Sequence, residues 1–344
     1  MKNDNSIKNF LNSSISTGNK KLEKRVILAP MAGLNHIGFR HLVREFKGHG
    51  LLFTGMLNSK SIPTENRYKS NFFKWNDYET SDTGVQIFGS EPQKMAEAAK
   101  RIEDEGFFCI DLNFGCSVKK FMKKNCGAYL LKDHKLALNI VEYVRKKVSF
   151  PLFIKFRAGW DEDIEKILSL AKKFEQAGAD ALTFHPRIAP DRRSRPPKHE
   201  YTKILKENIN IPVFANGNIF TFDDAKKIIE KTSCDGISIG RIAVAKPWIF
   251  ASWTSQKIFG YEIYEYTLKK ALKYFTYFYG DKYGIKLFKK FYIFFCANFK
   301  FGNQFSGLFY KNTESVKDVN EKIAFLFKNK PETVERPNLN LFSR

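Results

Sequence analysis

Polar side chains follow several short apolar runs along the chain, and their types are those that bind anions or transfer protons. Polar residues at so many successive ends of apolar runs are not expected from core packing alone. We therefore predict that they form one site. The residues at the ends of these runs, polar ones and their neighbours, are Pro30, Met31 and Ala32, Gln86, Asn113 and Cys116, Lys155 and Arg157, His185 and Arg187, Asn216, Gly217 and Asn218, and Gly240 and Arg241.

Two of these groups contain glycine and have the character of phosphate-binding turns. Asn216-Gly217-Asn218 and Gly240-Arg241 follow the last two apolar runs of a repeating pattern. In many parallel barrels, the loops after the seventh and eighth strands hold phosphate with main-chain N–H groups. Asn-Gly is also a common turn dipeptide, so two ordinary turns are the alternative interpretation.

Lys155 lies within the apolar segment FIKF. A lysine that points into a barrel mouth costs several kcal/mol unless an anion pairs with it. A reduced flavin, which is negative near its N1–C2=O edge, would be such a partner. An exposed lysine on a two-faced strand is the weaker alternative, because helices cover the strands of a barrel.

Cys116 follows the segment DLNFG and is a candidate proton donor. A thiol is mostly protonated at neutral pH, so it can act as a general acid. A nucleophilic cysteine would require a paired histidine, and no such arrangement is visible. A structural thiol is the alternative interpretation, which fits Cys109 within a strand better, and Cys126 in KKNCGAYLL is a competing donor.

The site residues need elements that bring them together, and eight apolar runs alternate with helical patterns. This alternation predicts an α/β fold, a parallel (β/α)8 TIM barrel. A doubly wound open sheet would require a glycine-rich phosphate turn after its first strand, where the chain has PMAG instead. The predicted strands are Val26–Ala29, Leu51–Met56, Gly84–Phe88, Phe108–Phe114, Leu152–Arg157, Ala181–His185, Pro212–Asn216 and Gly236–Gly240.

Composition divides the chain into three parts. Residues 1–24 are polar and predict a loose N-terminal arm, and residues 25–254 predict the barrel. Residues 255–344 contain 23 aromatic residues, and 16 Lys/Arg against 8 Asp/Glu. Their periodicity predicts a smaller C-terminal helical domain with basic faces. Most of its rings are expected in a core, with a few available to stack on RNA bases.

The whole chain has 58 Lys/Arg and 36 Asp/Glu, a net charge of +22. Such an excess predicts a polyanionic partner, most simply nucleic acid, although compositional drift toward lysine is an alternative. No apolar run is long enough for a membrane span, and the polar N-terminus has no secretory signal. Five cysteines, and histidines without metal-binding spacing, predict free thiols, a cytoplasmic protein and no metal site.

Five stretches of the chain resemble the tRNA-dihydrouridine synthase family, whose members are FMN-dependent enzymes that reduce uracil in RNA. The stretches cover about residues 25–250, and the C-terminal part resembles the family's RNA-binding domain only in length and character. Ser117, Gly55 and Ile242 stand where the family usually has Pro, Glu and Gly. The matching stretches are ILAPMAGLNHIGFRHLVREF, GVQIFGSEPQKMAEAAKRIEDEGFFCIDLNFGCSVKKFMKKNCGAYLLKD, PLFIKFRAGWDED, IPVFANGNIF and DGISIGRIAVAKPWIF.

The resemblance implies a role for each residue of the predicted site. Cys116 would be the catalytic proton donor, and Lys155 would stabilise the anionic reduced flavin. Asn113, Arg157 and Arg187 would contact the substrate. The implied FMN-binding residues are Pro30, Met31, Ala32, Gln86, Lys155, His185, Asn216, Gly217, Asn218, Gly240 and Arg241.

The implied reaction has two halves. NADPH, or NADH, reduces FMN, and reduced FMN then transfers a hydride from N5 to C6 of the uracil while Cys116 protonates C5. The expected substrate is an RNA, with tRNA first, and the target base must leave its stack. We expect a monomer with neither a membrane nor a metal partner.

Three alternatives remain open from the sequence. The same chemistry could act on a ribosomal RNA uridine. An FMN barrel could instead reduce a free pyrimidine or another small molecule. A third possibility is an RNA-binding protein that kept the barrel without its activity. A steep fall of RNA affinity with salt separates RNA substrates from small ones.

Overall fold

Eight parallel strands close into a barrel, as predicted. The computed structural model describes residues 4–191, 194–255 and 257–342. Each barrel strand pairs in parallel with its neighbours, and the pairing of the first strand with the last closes the ring. The barrel strands are β3 (Val26–Leu28), β4 (Leu51–Phe53), β6 (Thr83–Phe88), β7 (Cys109–Phe114), β8 (Leu152–Arg157), β9 (Ala181–His185), β10 (Val213–Asn216) and β11 (Gly236–Ile239).

These strands are almost wholly buried because helices cover the outside of the barrel. A short strand, β5 (Leu57–Asn58), extends the pairing of β6 and was not predicted. Aspartate and threonine side chains cap several helices, as at Asp133 and Thr221. The covering helices are α2 (Ile37–Phe46), α3 (Pro92–Asp104), α4 (Lys119–Met122), α5 (His134–Lys147), α6 (Ile164–Gln176), α7 (His199–Asn208), α8 (Phe222–Thr232), α9 (Arg241–Ala245) and α10 (Ile249–Thr254).

The N-terminal segment is folded, which corrects the expectation of a loose arm over residues 1–24. It forms helix α1 (Asp4–Leu11) and a hairpin of β1 (Ile15–Thr17) and β2 (Lys20–Leu22), while residues 1–3 lie outside the described residues. Ile7 and Leu11, one helical turn apart, are fully buried. Leu22 packs in a buried apolar cluster inside the barrel, close to the residues at which the barrel strands begin. The hairpin therefore closes the amino-terminal end of the barrel.

The C-terminal region is helical, as expected, with Gln256, Ser343 and Arg344 outside the described residues. Its helices are α11 (Glu262–Phe295), which is broken at Gly280, α12 (Gly302–Phe305) and α13 (Val316–Lys328). Buried rings such as Phe291 and Phe327 share one apolar cluster with Leu28 of the barrel and Phe39 of α2. The region therefore packs as part of the barrel's core. Among the described residues, no helix has the length and apolar character to cross a membrane.

Candidate active site

A cavity of about 280 Å³ opens at the carboxyl ends of β8 to β11 and of β3. This is the end at which parallel barrels carry their sites. Gln86 and Ala32 are the two predicted FMN-binding residues that do not line it. The predicted residues that do are Pro30, Met31, Lys155, His185, Asn216, Gly217, Asn218, Gly240 and Arg241, together with Arg157.

The turn after β10 is fixed in a shape that requires glycine. Gly217 has a φ of +117°, and a Cβ at this position would come within 2.7 Å of the His185 ring. Asn216 donates a hydrogen bond from Nδ2 to the carbonyl of Ser238, at 2.7 Å. Asn218 lies in the left-handed region with a φ of 53°. This part of the cavity wall therefore consists of main chain that a bound group can approach closely.

The cavity is strongly cation-rich. Burial lowers the pKa of His185 well below its usual value, and Arg157, Lys155, Arg187 and Arg241 lower it further. His185 is therefore neutral, and its Nε2 accepts a hydrogen bond from Arg187 Nη1 at 2.9 Å. Four cations around one neutral ring give the cavity a field that favours an anionic ligand.

Lys155 faces a buried carboxyl group that sequence analysis did not single out. Burial lowers the pKa of Lys155, and Arg157 lowers it further, whereas Asp111 acts in the opposite direction. Burial raises the pKa of Asp111, against the effects of Gln86 and Lys155. Asp111 lies two residues before Asn113 on β7, and Asn113 is in register with Lys155 on β8. This period-two spacing places both β7 side chains on one face, and it is the signal that could have identified Asp111.

Gln86 and Asn113 form a hydrogen-bonded chain with Asp111. Gln86 Nε2 donates to Asp111 Oδ2 at 2.6 Å, and Asn113 Nδ2 donates to Gln86 Oε1 at 2.8 Å. Gln86 is 1 % exposed. The chain fixes the orientation of the Asn113 amide, which leaves its Oδ1 facing the following turn.

The turn that carries Cys116 is held from two sides. Asn113 Oδ1 accepts hydrogen bonds from the N–H groups of Gly115 and Cys116, at 3.2 and 2.9 Å. Arg157 Nε donates to the carbonyl of Gly115 at 2.8 Å. Asn113 and Arg157, predicted to contact substrate, thus position the cysteine turn in this structure. Arg187 likewise donates to the carbonyl of Arg195 and to Asn218 Oδ1.

The Cys116 thiol is partly exposed and holds its proton at neutral pH. Burial raises its pKa above the usual value, although the N–H of Val118 and the cations Arg157 and Lys155 act to lower it. Arg157 and Lys155 also line the cation-rich cavity, so the thiol that they affect lies beside it. A protonated thiol in this position has the form that a general acid requires.

Cys126, the competing donor, lies in a less favourable place. It is 6 % exposed, and its Sγ donates to the carbonyl of Lys124. The next residue, Gly127, has a φ of +66° and would clash with the Cys116 carbonyl if it had a side chain. The segment after Cys126 therefore packs on the Cys116 turn and supports it.

Ser238 also lines the cavity and was not predicted. It is buried, and its hydroxyl has no hydrogen-bond partner among the described residues. The segment GISIG matches the G-x-S-x-G pattern of serine hydrolases, but Ser238 lies within β11 rather than at a strand-to-helix turn. The spacing is therefore no sign of a nucleophile here.

The family model "Dihydrouridine synthase (Dus)" matches residues 27–329, which include the barrel and most of the C-terminal helices. The chain belongs to the dihydrouridine synthase family. The resemblance of the five sequence stretches is thereby confirmed, and the match extends beyond them.

Named relatives of this dihydrouridine synthase chain agree with that assignment. A probable tRNA-dihydrouridine synthase of Rickettsia bellii is 39 % identical over 237 residues, which are 69 % of this chain and 72 % of the relative. A tRNA-dihydrouridine synthase B of Pseudomonas syringae pv. tomato is 34 % identical over 304 residues, or 86 % of this chain and 90 % of the relative.

Solved structures with the same fold are more distant in sequence. An old yellow enzyme named TcOYE has a TM-score of 0.52 at 11 % identity and covers 72 % of this chain and 93 % of its own. A histamine dehydrogenase from Rhizobium sp. 4-9 has a TM-score of 0.55 at 14 % identity, and the match spans 72 % of this chain but 47 % of that one. At such identities the likeness establishes the barrel fold alone.

Proposed function

We propose that this dihydrouridine synthase reduces a uridine of tRNA to 5,6-dihydrouridine, with FMN as cofactor and NADPH as reductant. The observation that carries the proposal is a cation-rich cavity beside a protonated thiol, at the carboxyl end of a barrel of this family. The cytoplasm, which contains tRNA, is the compartment that the proposal implies.

The residues of the cavity fit a phosphorylated flavin. Gly217 leaves main chain open to close approach, and the buried Ser238 hydroxyl has no partner among the described residues. Arg241 lines the same end of the cavity and contributes to its positive field. We assign the FMN phosphate to this end, and Lys155 to the negative edge of the reduced ring.

FMN held by these residues would supply the hydride for C6 of the uracil, with NADPH as the source of its electrons. The chain itself supplies the proton for C5. Cys116 carries that proton because burial keeps its pKa high, and Asn113 and Arg157 hold the turn on which it lies. The protein must also hold a base that has left its stack, since C5 and C6 are hindered in folded RNA.

The most direct test is to map dihydrouridine in all RNAs of a strain that lacks this gene. We expect dihydrouridine to be missing at one or more tRNA positions and to return when the gene is restored. Loss confined to ribosomal RNA would change the substrate but preserve the chemistry. Unchanged dihydrouridine in every RNA would overturn the proposed function.

The role of Cys116 is tested by Cys116→Ala. We expect the variant to keep its flavin and the reduction of that flavin by NADPH. Dihydrouridine formation on a tRNA transcript should fall by ~10²-fold or more, because the C5 proton donor is lost. Cys126→Ala is the matched control and should fall far less, since the Cys126 thiol is buried against a carbonyl. The opposite order of the two variants would assign the proton to Cys126.

A further inference from the structure

A second cavity, of about 260 Å³, lies between the barrel mouth and the C-terminal helices. Its walls come from the loops after β3 and β4, from the segment between β5 and β6, and from α11. Two glycines, Gly33 and Gly55, contribute main chain to the wall on the barrel side.

The lining of this cavity suits a nucleobase. Met56, Leu57 and Leu287 make it mainly apolar, and the rings of Phe72 and Tyr283 stand at its wall. Phe72 is 69 % exposed, so the face of its ring is accessible to a ligand. Sequence-independent RNA-binding sites stack bases on such rings.

The charge at the cavity fits a phosphodiester chain. Lys286 and Lys290 of α11 both line it, and the described residues of the lining include no Asp or Glu. Lys290 Nζ donates to the carbonyl of Gly33 at 3.1 Å, so its cation is held next to the glycine wall. A phosphate at the edge of the cavity would therefore meet cations.

One buried polar atom in the lining has no partner. Asn35 is 1 % exposed, and its Nδ2 donates to the carbonyls of Ala29 and Phe53, at 2.8 and 2.9 Å. These two bonds fix the amide, and they leave Asn35 Oδ1 without a hydrogen-bond partner among the described residues. A buried acceptor of this kind favours a ligand that presents an N–H, as the edge of every nucleobase does.

The cavity is joined to the Cys116 turn through two side chains. Met56, which lines the cavity, has its sulfur 3.7 Å from Asn113 Nδ2, and Asn113 accepts the N–H of Cys116. The two places are therefore close enough to receive neighbouring parts of one RNA.

We propose that this cavity binds a second nucleotide of the RNA, next to the nucleotide that is reduced. Its base stacks on Phe72 and Tyr283 and donates an N–H to Asn35 Oδ1, and its phosphate meets Lys286 and Lys290. The inference rests on the proposed function, because it assumes an RNA substrate. It adds a contact that holds the strand while the target base is out of its stack.

The test is Phe72→Ala in the full-length flavoprotein, measured with an unmodified tRNA transcript. Removing one stacking ring should weaken binding by about 5- to 100-fold, as measured by fluorescence anisotropy. Flavin content and the rate of flavin reduction by NADPH should not change, because Phe72 lies outside the first cavity. The matched control is Phe325→Ala on α13, which removes a ring that is 62 % exposed and should leave RNA affinity unchanged.

A double-mutant cycle then locates the nucleotide. Single abasic substitutions are placed around the mapped dihydrouridine, and each transcript is tested with the wild type and with Phe72→Ala. At one position the abasic change should remove the difference between the two proteins, because the base that stacks is already gone. Additive losses at every position would overturn the inference.

Two other results would also overturn it. One is equal RNA affinity of Phe72→Ala and the wild type, while the wild type still forms dihydrouridine. That result leaves the proposed function intact. The other is an effect of Phe72→Ala confined to flavin content or to the KM for NADPH, which would assign the cavity to a cofactor. A wild type that binds no tRNA would overturn both the inference and the proposed function.

Discussion

Two groups of buried cations in this molecule differ in the residues that surround their charge. In the first, which we call the paired cluster, Arg40 and Arg44 of α2 contact Glu79 and Asp82. The Arg40 and Arg44 Nη atoms lie 2.7 and 2.8 Å from the Glu79 carboxylate, which is fully buried. Arg44 also pairs with Asp82. Carboxylates thus compensate the positive charge within the fold.

The second group, the cavity cluster, consists of Lys155, Arg157, Arg187 and Arg241. Among the described residues, Arg157 donates to the carbonyl of Gly115, and Arg187 donates to the carbonyl of Arg195 and to the neutral side chain of Asn218. Burial lowers the pKa of His185, and the positive field of these four cations lowers it further. Buried cations that lie together around a cavity are therefore better candidates for a ligand site than buried cations paired with carboxylates of the fold, as in the paired cluster.

The largest expected effect concerns the paired cluster. Arg40→Ala leaves Glu79 buried with one cation fewer, so the free energy of unfolding should fall by about 3 to 5 kcal/mol. Chemical denaturation measures the fall. Lys94→Ala, which removes an exposed pair with Glu97, is the control and should cost far less, because solvent screens that pair. Flavin affinity of folded Arg40→Ala should be normal, and a specific loss of flavin would break the distinction between the clusters.

The cavity cluster should respond in the opposite sense. Lys155→Met removes a cation that burial and the neighbouring Arg157 both disfavour. Asp111, whose pKa burial raises, can take up a proton in its place, so the flavin-free protein should be no less stable than the wild type. FMN affinity should fall by about 10- to 100-fold, because a charge-assisted contact contributes about 1.5 to 3 kcal/mol. Flavin fluorescence titration and thermal unfolding measure the two effects. Destabilisation without loss of FMN affinity would show that Lys155 serves the fold.

The pH dependence of stability sharpens the comparison. His36 caps α2 through a bond from the Phe39 N–H to Nδ1, and burial together with Arg40 and Lys290 lowers its pKa to about 3. Below pH ~6.5 the unfolded histidine binds a proton that the folded one excludes. Stability should therefore fall as the pH decreases from about 6.5 toward 3, by at most about 1.4 kcal/mol per pH unit from this group.

The variant His36→Asn keeps a capping acceptor but does not titrate. Its free energy of unfolding, measured by urea denaturation between pH 7 and pH 4, should decline less steeply than that of the wild type. Parallel declines would show that His36 titrates normally in the folded protein.

The barrel was predictable because its strands are uninterrupted apolar runs that helices cover on the outside. Strands β8 and β9 have the predicted bounds, Leu152–Arg157 and Ala181–His185. Strand β4 is shorter than predicted and ends at Phe53 instead of Met56. The N-terminal hairpin was not predictable from polarity. The hairpin has few apolar residues, such as Leu22. They stabilise it only because they can pack into the open end of the barrel, which the local sequence does not show.

The site was predictable in its location but not in its connections. Strand ends identified the residues of the cavity, since the topology brings such ends together. The amide chain of Gln86 and Asn113 depends on strand register and on rotamers, which no sequence pattern encodes. Asp111 is not found by inspection of strand ends because it lies inside β7, and only its period-two spacing from Asn113 indicates that it faces the same site.

The apolar cluster that joins the first barrel strand to the last helices has a consequence for how the protein is made. Leu28 and Phe39 emerge early from the ribosome, while Phe291 and Phe327 follow more than 250 residues later. Until then, this flank of the nascent barrel exposes apolar surface that other chains can bind. Completion of the fold is therefore tied to the end of translation, and a chain released early should be a substrate for chaperones and proteases rather than a smaller enzyme.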